Sequence, residues 1–426
     1  MLKNRKTHTV NTGRRRLIKA SVAGAGVASI AYVAHRGVRF PRLTLSPPEP
    51  TTRLDTPLAR FEIEGAIFVN NRELSGIGPI SGESPNTATL LRAIQPEPSI
   101  RLAANAGYIS FSVGNIATSA TLDVNSRAQT QINETTEGLN RHISIMLDRP
   151  DTIELVWRFD DQRKIKFAVI GDSGGGDELP WCLLRAADLG AEFLLHLGDF
   201  NYTRGEYDSA VTAFSEAAIP SYITIGNHDF NDSGLVYEQF LAQLGPLNSR
   251  FVLAGTEFLN IDTSVDFFPL KSGQRGRFIA GLEENDKPKI AFSHRPFVDI
   301  RPGEDHEMAS QAEEKWLHAT FARINCDDFL CGHVHKSGET DVEGLRQWTV
   351  GEGLGYEDWV ARKPISQMLI GSVEPESAPE FTWVMLDMPW ALHTSPKHLE
   401  KLIKEQPQEA IDWFNKKRAK MTGQAS

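Results

Sequence analysis

Three short apolar runs, each ending in a polar cluster, settle what residues 166–230 can become. They read KFAVIGDSGG from Lys166, FLLHLGDFNY from Phe193 and YITIGNHDF from Tyr222. Short apolar runs bounded by Gly, Asp and Asn are the pattern of strands buried on both faces. Between them, residues 178–189 and 206–217 space their apolar side chains as a helix does. Strand, helix, strand, helix, strand in that order predicts parallel strands, because a parallel pair needs a crossover to join it. The C-terminal ends of all three strands then share one edge, where open parallel sheets take up ligands. Asp172, Asp199, Tyr202, Asn227, His228 and Asp229 meet there although they lie far apart in the chain.

Two later runs end the same way. A strand over 289–292 stops at Ser293-His294-Arg295-Pro296, and one over 328–331 runs into Gly332-His333-Val334-His335. A polar loop over 301–306, carrying His306, and a helix over 309–324 separate them. Further strands are expected at 251–253, 257–261, 367–373 and 380–386, and a helix at 236–244. Taken singly, each cluster has a plain structural explanation. Gly-Asp after a strand is often a turn or a cap, a lone His294 is more often hydrogen-bonded than ligating, and His333 and His335 share a strand face by period alone. Five clusters that all follow apolar strands and all supply metal-type side chains point to a metal centre.

These clusters, GDSG, GDFNY, GNHD, SHRP and GHVH, resemble the calcineurin-like metallophosphoesterase superfamily, and in detail its purple acid phosphatases, whose pattern is DxG, GDxxY, GNH(D/E), VxxH and GHxH. The likeness covers residues 166–356, under half of the chain. Two departures stand out: Ala291 takes the place of the valine of VxxH, and Ser173-Gly174 follows Asp172 where most relatives outside that branch carry a histidine, which Tyr202 would replace. The resemblance implies an α/β fold, a four-layer α-β-β-α sandwich preceded by a small β-sandwich. It implies two metal ions, one held by Asp172, Asp199, Tyr202 and His335, the other by Asp199, Asn227, His294 and His333, with Asp199 bridging. Carboxylate and phenolate suit ferric iron, and imidazole and amide oxygen suit a divalent partner such as Fe, Zn or Mn. By the same resemblance His228 binds phosphate or assists the leaving group with Asp229 orienting it, and His306 lies where relatives carry a substrate-facing proton donor. Arg295 and Arg204 flank the ligands. The implied reaction is hydrolysis of a small phosphate monoester by a metal-bound hydroxide.

Two other readings stay open. A phosphodiesterase can use the same core, the difference lying in loops such as 262–278 and 299–307. A non-catalytic metal- or phosphate-binding module is the other, although an intact Asn227-His228-Asp229 has no purpose in a mere binder. A phosphoprotein phosphatase is disfavoured, since the GDxHG and DRG signatures are absent.

Charge bears on location and partners. Residues 1–34 hold seven basic side chains and no acidic one, so the formal charge of −10 becomes −17 without them. So acidic a body disfavours nucleic acid and anionic membranes as partners. Arg14-Arg15-Arg16-Leu17-Ile18-Lys19 before the mild apolar stretch 20–34 resembles a bacterial twin-arginine signal, with Gly13 where Ser or Thr is usual. Residues 1–34 are thus expected to be read by the twin-arginine export machinery, with Ser29-Ile30-Ala31 offering a cleavage site and a periplasmic or secreted destination. The stretch falls short of the roughly 20 apolar residues a permanent span needs.

Residues 35–57 read as a Pro-rich linker and 58–161 as a β-sandwich of alternating strands, whose lone histidine, His142, is a strand or surface residue. Residues 162–392 form the catalytic domain, and 393–426 a charged amphipathic helix interrupted near Pro407. Five extended residues keep Cys326 and Cys331 roughly 16 Å apart, too far for a disulfide. A pairing with Cys182 is open.

Overall fold

The computed structural model describes residues 52–69, 89–127, 130–203, 205–229, 238–264, 269–308, 310–354 and 366–386. The expected leader, most of the linker, the C-terminal helix and Arg204 lie outside them. The N-terminal strands are β1 (Arg53–Asp55), β2 (Ala59–Glu64), β3 (Ala66–Phe68), β4 (Thr89–Ala93), β5 (Ser99–Ala104), β6 (Gly107–Gly114), β7 (Thr121–Asn125), β8 (Thr130–Glu137), β9 (Asn140–Leu147) and β10 (Asp151–Arg158). β2, β6, β9 and β10 alternate buried and exposed residues, the period-two pattern of a sheet with one face on a core. They form two five-stranded sheets, β1-β2-β5-β10-β7 and β3-β4-β6-β9-β8. Phe61 of one meets Phe111 of the other edge to face, centroids 5.4 Å apart. The sandwich begins earlier than its expected start at residue 58, because β1 pairs with β2.

The second part opens with β11 (Ile165–Ile170), α1 (Glu178–Asp188), β12 (Phe193–His196), α2 (Glu206–Ser215) and β13 (Ser221–Ile223). The three strands are parallel neighbours, as the pattern requires. α3 (Glu238–Gln243), β14 (Ser249–Leu253), β15 (Thr256–Asn260), α4 (Gly273–Ala280), β16 (Lys289–Phe292), α5 (Gln311–Arg323), β17 (Asp328–Cys331), β18 (Ser337–Val342), β19 (Leu345–Val350), β20 (Gln367–Val373) and β21 (Glu380–Met385) complete it. One sheet runs β13-β12-β11-β20-β21, the other β14-β15-β16-β17-β19-β18, with β15, β16, β17 and β19 parallel.

Alternation within single strands shows how the layers stack. Phe258, Ile290, Phe292 and Leu330 point into the core between the sheets. Leu259, Ala291, Phe329 and Cys331, their immediate neighbours, point to the far side, where α4 and α5 bury Ile279, Leu317 and Phe321. On the opposite side α1 lies on β11 and β12. Phe167 and Phe193 of the first sheet meet Phe258 of the second at 5.4 and 5.9 Å. Each such side chain removed from water contributes about 1.5–3 kcal/mol. The result is the α-β-β-α order expected. Cys182, Cys326 and Cys331 are buried and free, and no described helix is long and apolar enough to cross a membrane.

Candidate metal centre

Five of the parallel strands deliver their polar clusters to the same rim. Asp172 follows β11, Asp199 follows β12, Asn227 and His228 follow β13, His294 follows β16, and His333 and His335 follow β17. The turns that aim them are unusual. Asp172, Asp199, His333 and His335 all have positive φ, 56°, 60°, 72° and 48°, a region that costs an L-residue about 1–2 kcal/mol and collects at functional sites. Gly198 and Gly226 explain the glycines before Asp199 and Asn227. A Cβ on Gly198 would strike the backbone of Gly226, and one on Gly226 would strike Asp199. Only glycine lets these two loops close on each other.

The seven expected ligands converge in two groups. In one, the Tyr202 hydroxyl lies 3.3 Å from Asp172 Oδ1, 3.3 Å from Asp199 Oδ2 and 3.0 Å from His335 Nε2. In the other, His294 Nε2 lies 3.4 Å from Asp199 Oδ2, 2.9 Å from Asn227 Oδ1 and 3.1 Å from His333 Nδ1. Asp199 Oδ2 is common to both. Two donors bound at right angles about 2.1 Å from one ion stand ~3 Å apart, so the spacing fits a cation in each group. Asp199, His294 and His333 present donor atoms all within 4.8 Å of one another. The unused oxygens are anchored: Asp172 Oδ2 accepts from His333 N (2.8 Å) and Asp199 Oδ1 from His228 N (2.8 Å). His294 Nδ1 lies 2.7 Å from Leu197 O, so it donates there and aims Nε2 at the centre, the usual outer-sphere hold on a ligating imidazole.

The electrostatics suit a cation. Burial works against a charge on His294, yet the Asp199 carboxylate overrides it and raises the imidazole to about 9. Asp199 itself is held well below the ordinary carboxylate range, its burial outweighed by His294 and then by His228 and His333. Asp199 thus stays an anionic oxygen beside His294, a negative charge placed to attract a metal ion.

His196, a strand residue beneath the rim, behaves oppositely. Its Nδ1 accepts from Gly198 N at 3.2 Å and its Nε2 meets Ser173 Oγ at 2.8 Å. Burial pushes its pKa from 6.5 down to about 3. The unfolded chain therefore takes a proton that the folded one refuses. Stability contributed by neutral His196 is whole above pH 6.5 and drains away below it, by about 1.4 kcal/mol per pH unit, until the folded form protonates. His196→Asn, whose Oδ1 can stand where Nδ1 accepts, is expected to flatten that acid limb by about one proton in urea titrations between pH 6.5 and 4.

The other expected residues divide. The His228 ring packs beside Tyr202, centroids 4.7 Å apart. Asp229 does something other than orient that ring. Its Oδ2 accepts from Asp199 N (2.8 Å) and Gly226 N (2.6 Å) and its Oδ1 from Phe200 N (2.8 Å), so it ties two ligand loops together. Burial, then the nearby Asp199 charge, push its pKa upward against those amides. His306 lies near the centre, its ring 6.0 Å from that of His333, with Nδ1 3.5 Å from Asp299 Oδ2. Arg295 Nη1 donates to His333 Nε2 at 3.1 Å. Ligation through His333 Nδ1 puts the imidazole proton on Nε2, which then cannot accept, and the guanidinium would need another acceptor.

Supporting residues were not evident from the sequence. Glu206 Oε2 accepts from Tyr202 N (2.6 Å) and Thr203 N (3.0 Å) and fixes the tyrosine loop; an acid opening a helix four residues on was the available signal. Gln347 Oε1 accepts from Phe297 N and Val298 N, steadying the chain after His294. Arg275 and Asp262 form a buried ion pair at 2.6 Å, and Asp262 Oδ1 accepts from Ser264 N, whose hydroxyl donates to Ile225 O at 2.8 Å.

Comparison with known proteins agrees with the motifs. Residues 165–337 match the family model described as calcineurin-like phosphoesterase. No curated protein matches in sequence. Among solved structures, PhoD is similar at 11% identity over 68% of this chain and 87% of its own, TM-score 0.42. GAP50, the anchor in the inner membrane complex of Plasmodium, is 13% identical over 53% and 85%, TM-score 0.41. A dimetal phosphatase from Danio rerio is 14% identical over 51% and 98%, TM-score 0.36. The chain carries a calcineurin-like metallophosphoesterase domain.

Proposed function

We propose that this domain is a binuclear-metal phosphoesterase of the purple acid phosphatase kind that hydrolyses phosphate monoesters. The observation that most supports this is Tyr202, whose hydroxyl stands within 3.3 Å of Asp172, Asp199 and His335, a phenol in a ring of hard donors. Bound there, a ferric ion and a divalent Fe, Zn or Mn would polarise a phosphoryl oxygen and activate water.

The remaining work falls to the chain's own groups. His228, held by its backbone to Asp199 and by its ring to Tyr202, can donate to a phosphoryl oxygen of the substrate. Asp299 accepts from His306 N at 3.2 Å and lies beside its Nδ1, which leaves Nε2 to give a proton to the departing alkoxide. A general acid of this kind contributes roughly 10²–10⁴-fold. Arg295, once displaced from His333, offers a cation for substrate oxygens. Export by the twin-arginine route to the periplasm or beyond rests on Arg14 to Lys19 and is read by fractionating cells that express the full chain.

The test is hydrolysis of an aryl phosphate by the iron-loaded full chain. Turnover of the monoester is expected; turnover of a bis-aryl phosphate alone would favour a diesterase, and of neither a binding module. Tyr202→Phe keeps the ring packed on His228 and removes the phenolate. It is expected to abolish a visible tyrosinate-to-iron band with circular dichroism unchanged. A colourless, fully iron-loaded and active parent would refute the purple branch.

A further inference from the structure

Among the described strands β13, three residues long, lies at a sheet edge and pairs with β12 alone. Its other edge is covered by a side chain of the N-terminal sandwich. Asn115 Oδ1 accepts from Ser221 N at 2.9 Å, and Asn115 Nδ2 donates to Ser221 O at 3.0 Å and to Ala93 O at 2.8 Å. One buried carboxamide thus uses both donors and its acceptor, and does for β13 what a neighbouring strand would do. Arg92 Nη2, also buried, adds a contact to Ser221 O at 3.3 Å. Asn115 has φ 63°, which asparagine tolerates better than most residues.

Six residues past Ser221, beyond the end of the strand, the same segment presents Asn227. In between it is pinned by Asn260 Nδ2 on Ile223 O (3.2 Å), Ser264 Oγ on Ile225 O (2.8 Å) and Thr224 N on His196 O (2.9 Å). These ties come from the catalytic part alone. The Asn115 and Arg92 contacts are the hold that comes from the other domain. We infer that the N-terminal sandwich is a brace for the metal centre, with Asn115 the positioning residue that keeps β13, and through it Asn227 and His228, in register. Ligands must be held within about 0.5 Å, and a neutral amide is a weaker ligand than the carboxylates and imidazoles around it. Slack in β13 therefore falls on the Asn227–His294–His333 side. This rests on those residues binding a metal as proposed above.

The test compares the full chain with Asn115→Gly, which keeps the left-handed backbone and deletes the carboxamide, and with Arg92→Gln, a milder change at the same contact. Binding of Mn²⁺ alone is followed by calorimetry, and amide exchange is followed over 221–229 and 166–172. Asn115→Gly is expected to weaken the second of two binding events about tenfold, the scale of losing an outer-sphere support. The first event should stay the same, and exchange should quicken in 221–229 but not in 166–172. Arg92→Gln should shift both readouts the same way by a smaller factor. At saturating Mn²⁺ the kcat on an aryl phosphate should recover towards that of the parent. Parent-like affinity and exchange in a folded Asn115→Gly, or in Arg92→Gln should the first variant not fold, overturns the brace. A parent that binds two ions yet hydrolyses nothing overturns the enzymatic reading and leaves the brace standing.

Discussion

Asp199→Asn is expected to remove phosphoester hydrolysis by three orders of magnitude or more, about 4 kcal/mol of lost transition-state stabilisation, with the fold unchanged. The replacement matches in size, and its Oδ1 can still accept from His228 N, as Asp199 Oδ1 does at 2.8 Å. What disappears is the charge at Oδ2, the atom 3.3 Å from Tyr202 and 3.4 Å from His294. With it goes the only described carboxylate oxygen shared by both ligand groups. His294, raised to about 9 mainly by that carboxylate working against burial, loses the partner that sustains its charge. Metal analysis of the purified variant should show fewer than two ions per chain. A variant that binds two ions and turns over at the parental rate would refute the shared bridge and the role given to Asp199.

Arg275→Met should be the most damaging change away from the centre. Asp262 is fully buried and Arg275 nearly so, with Nη1 2.6 Å from Asp262 Oδ2. Removing one partner of a buried pair strands the other charge and costs about 3–5 kcal/mol, on the order of 10 °C in Tm for a domain of this size. The damage should also reach activity, because Asp262 orders the turn from which Ser264 ties Ile225, two residues before Asn227. Arg275→Met with Asp262→Leu, which removes both charges, should recover most of the Tm. Equal losses in the single and double variants would show that the pair is not what holds this turn.

The elements most legible in the sequence are those whose burial is uniform. β11, β16, β17 and β20 begin and end within a residue or so of expectation, because two-faced burial writes continuous apolar runs that stop where the chain turns polar. β8 was missed. Its TQINETTE is half-exposed to exposed along its length, and its place comes from pairing with β9, which composition does not encode. β19 was missed for the opposite reason: Gln347 and Thr349 are buried polar residues, satisfied by Phe297, Val298 and Cys331 from distant parts of the chain. α4 carries two glycines and a weak apolar face, and is held by packing on α5. At the centre the motif residues were legible from type and spacing. Their supports, Glu206, Gln347 and the Asp262–Arg275 pair, were not, since a side chain that accepts from a remote amide leaves no periodic trace. Asp229 shows the limit of carrying a role by motif: the residue lies beside the site, but its oxygens serve three backbone amides.

None of the three cysteines is crosslinked, and each is buried, which holds it in the thiol form; burial pushes Cys326, for instance, up to about 12. A thiol so reluctant to ionise neither attacks a disulfide nor is readily oxidised. The fold therefore needs no disulfide. It can be completed where glutathione keeps thiols reduced and can persist, without oxidative repair, where no such reductant is found.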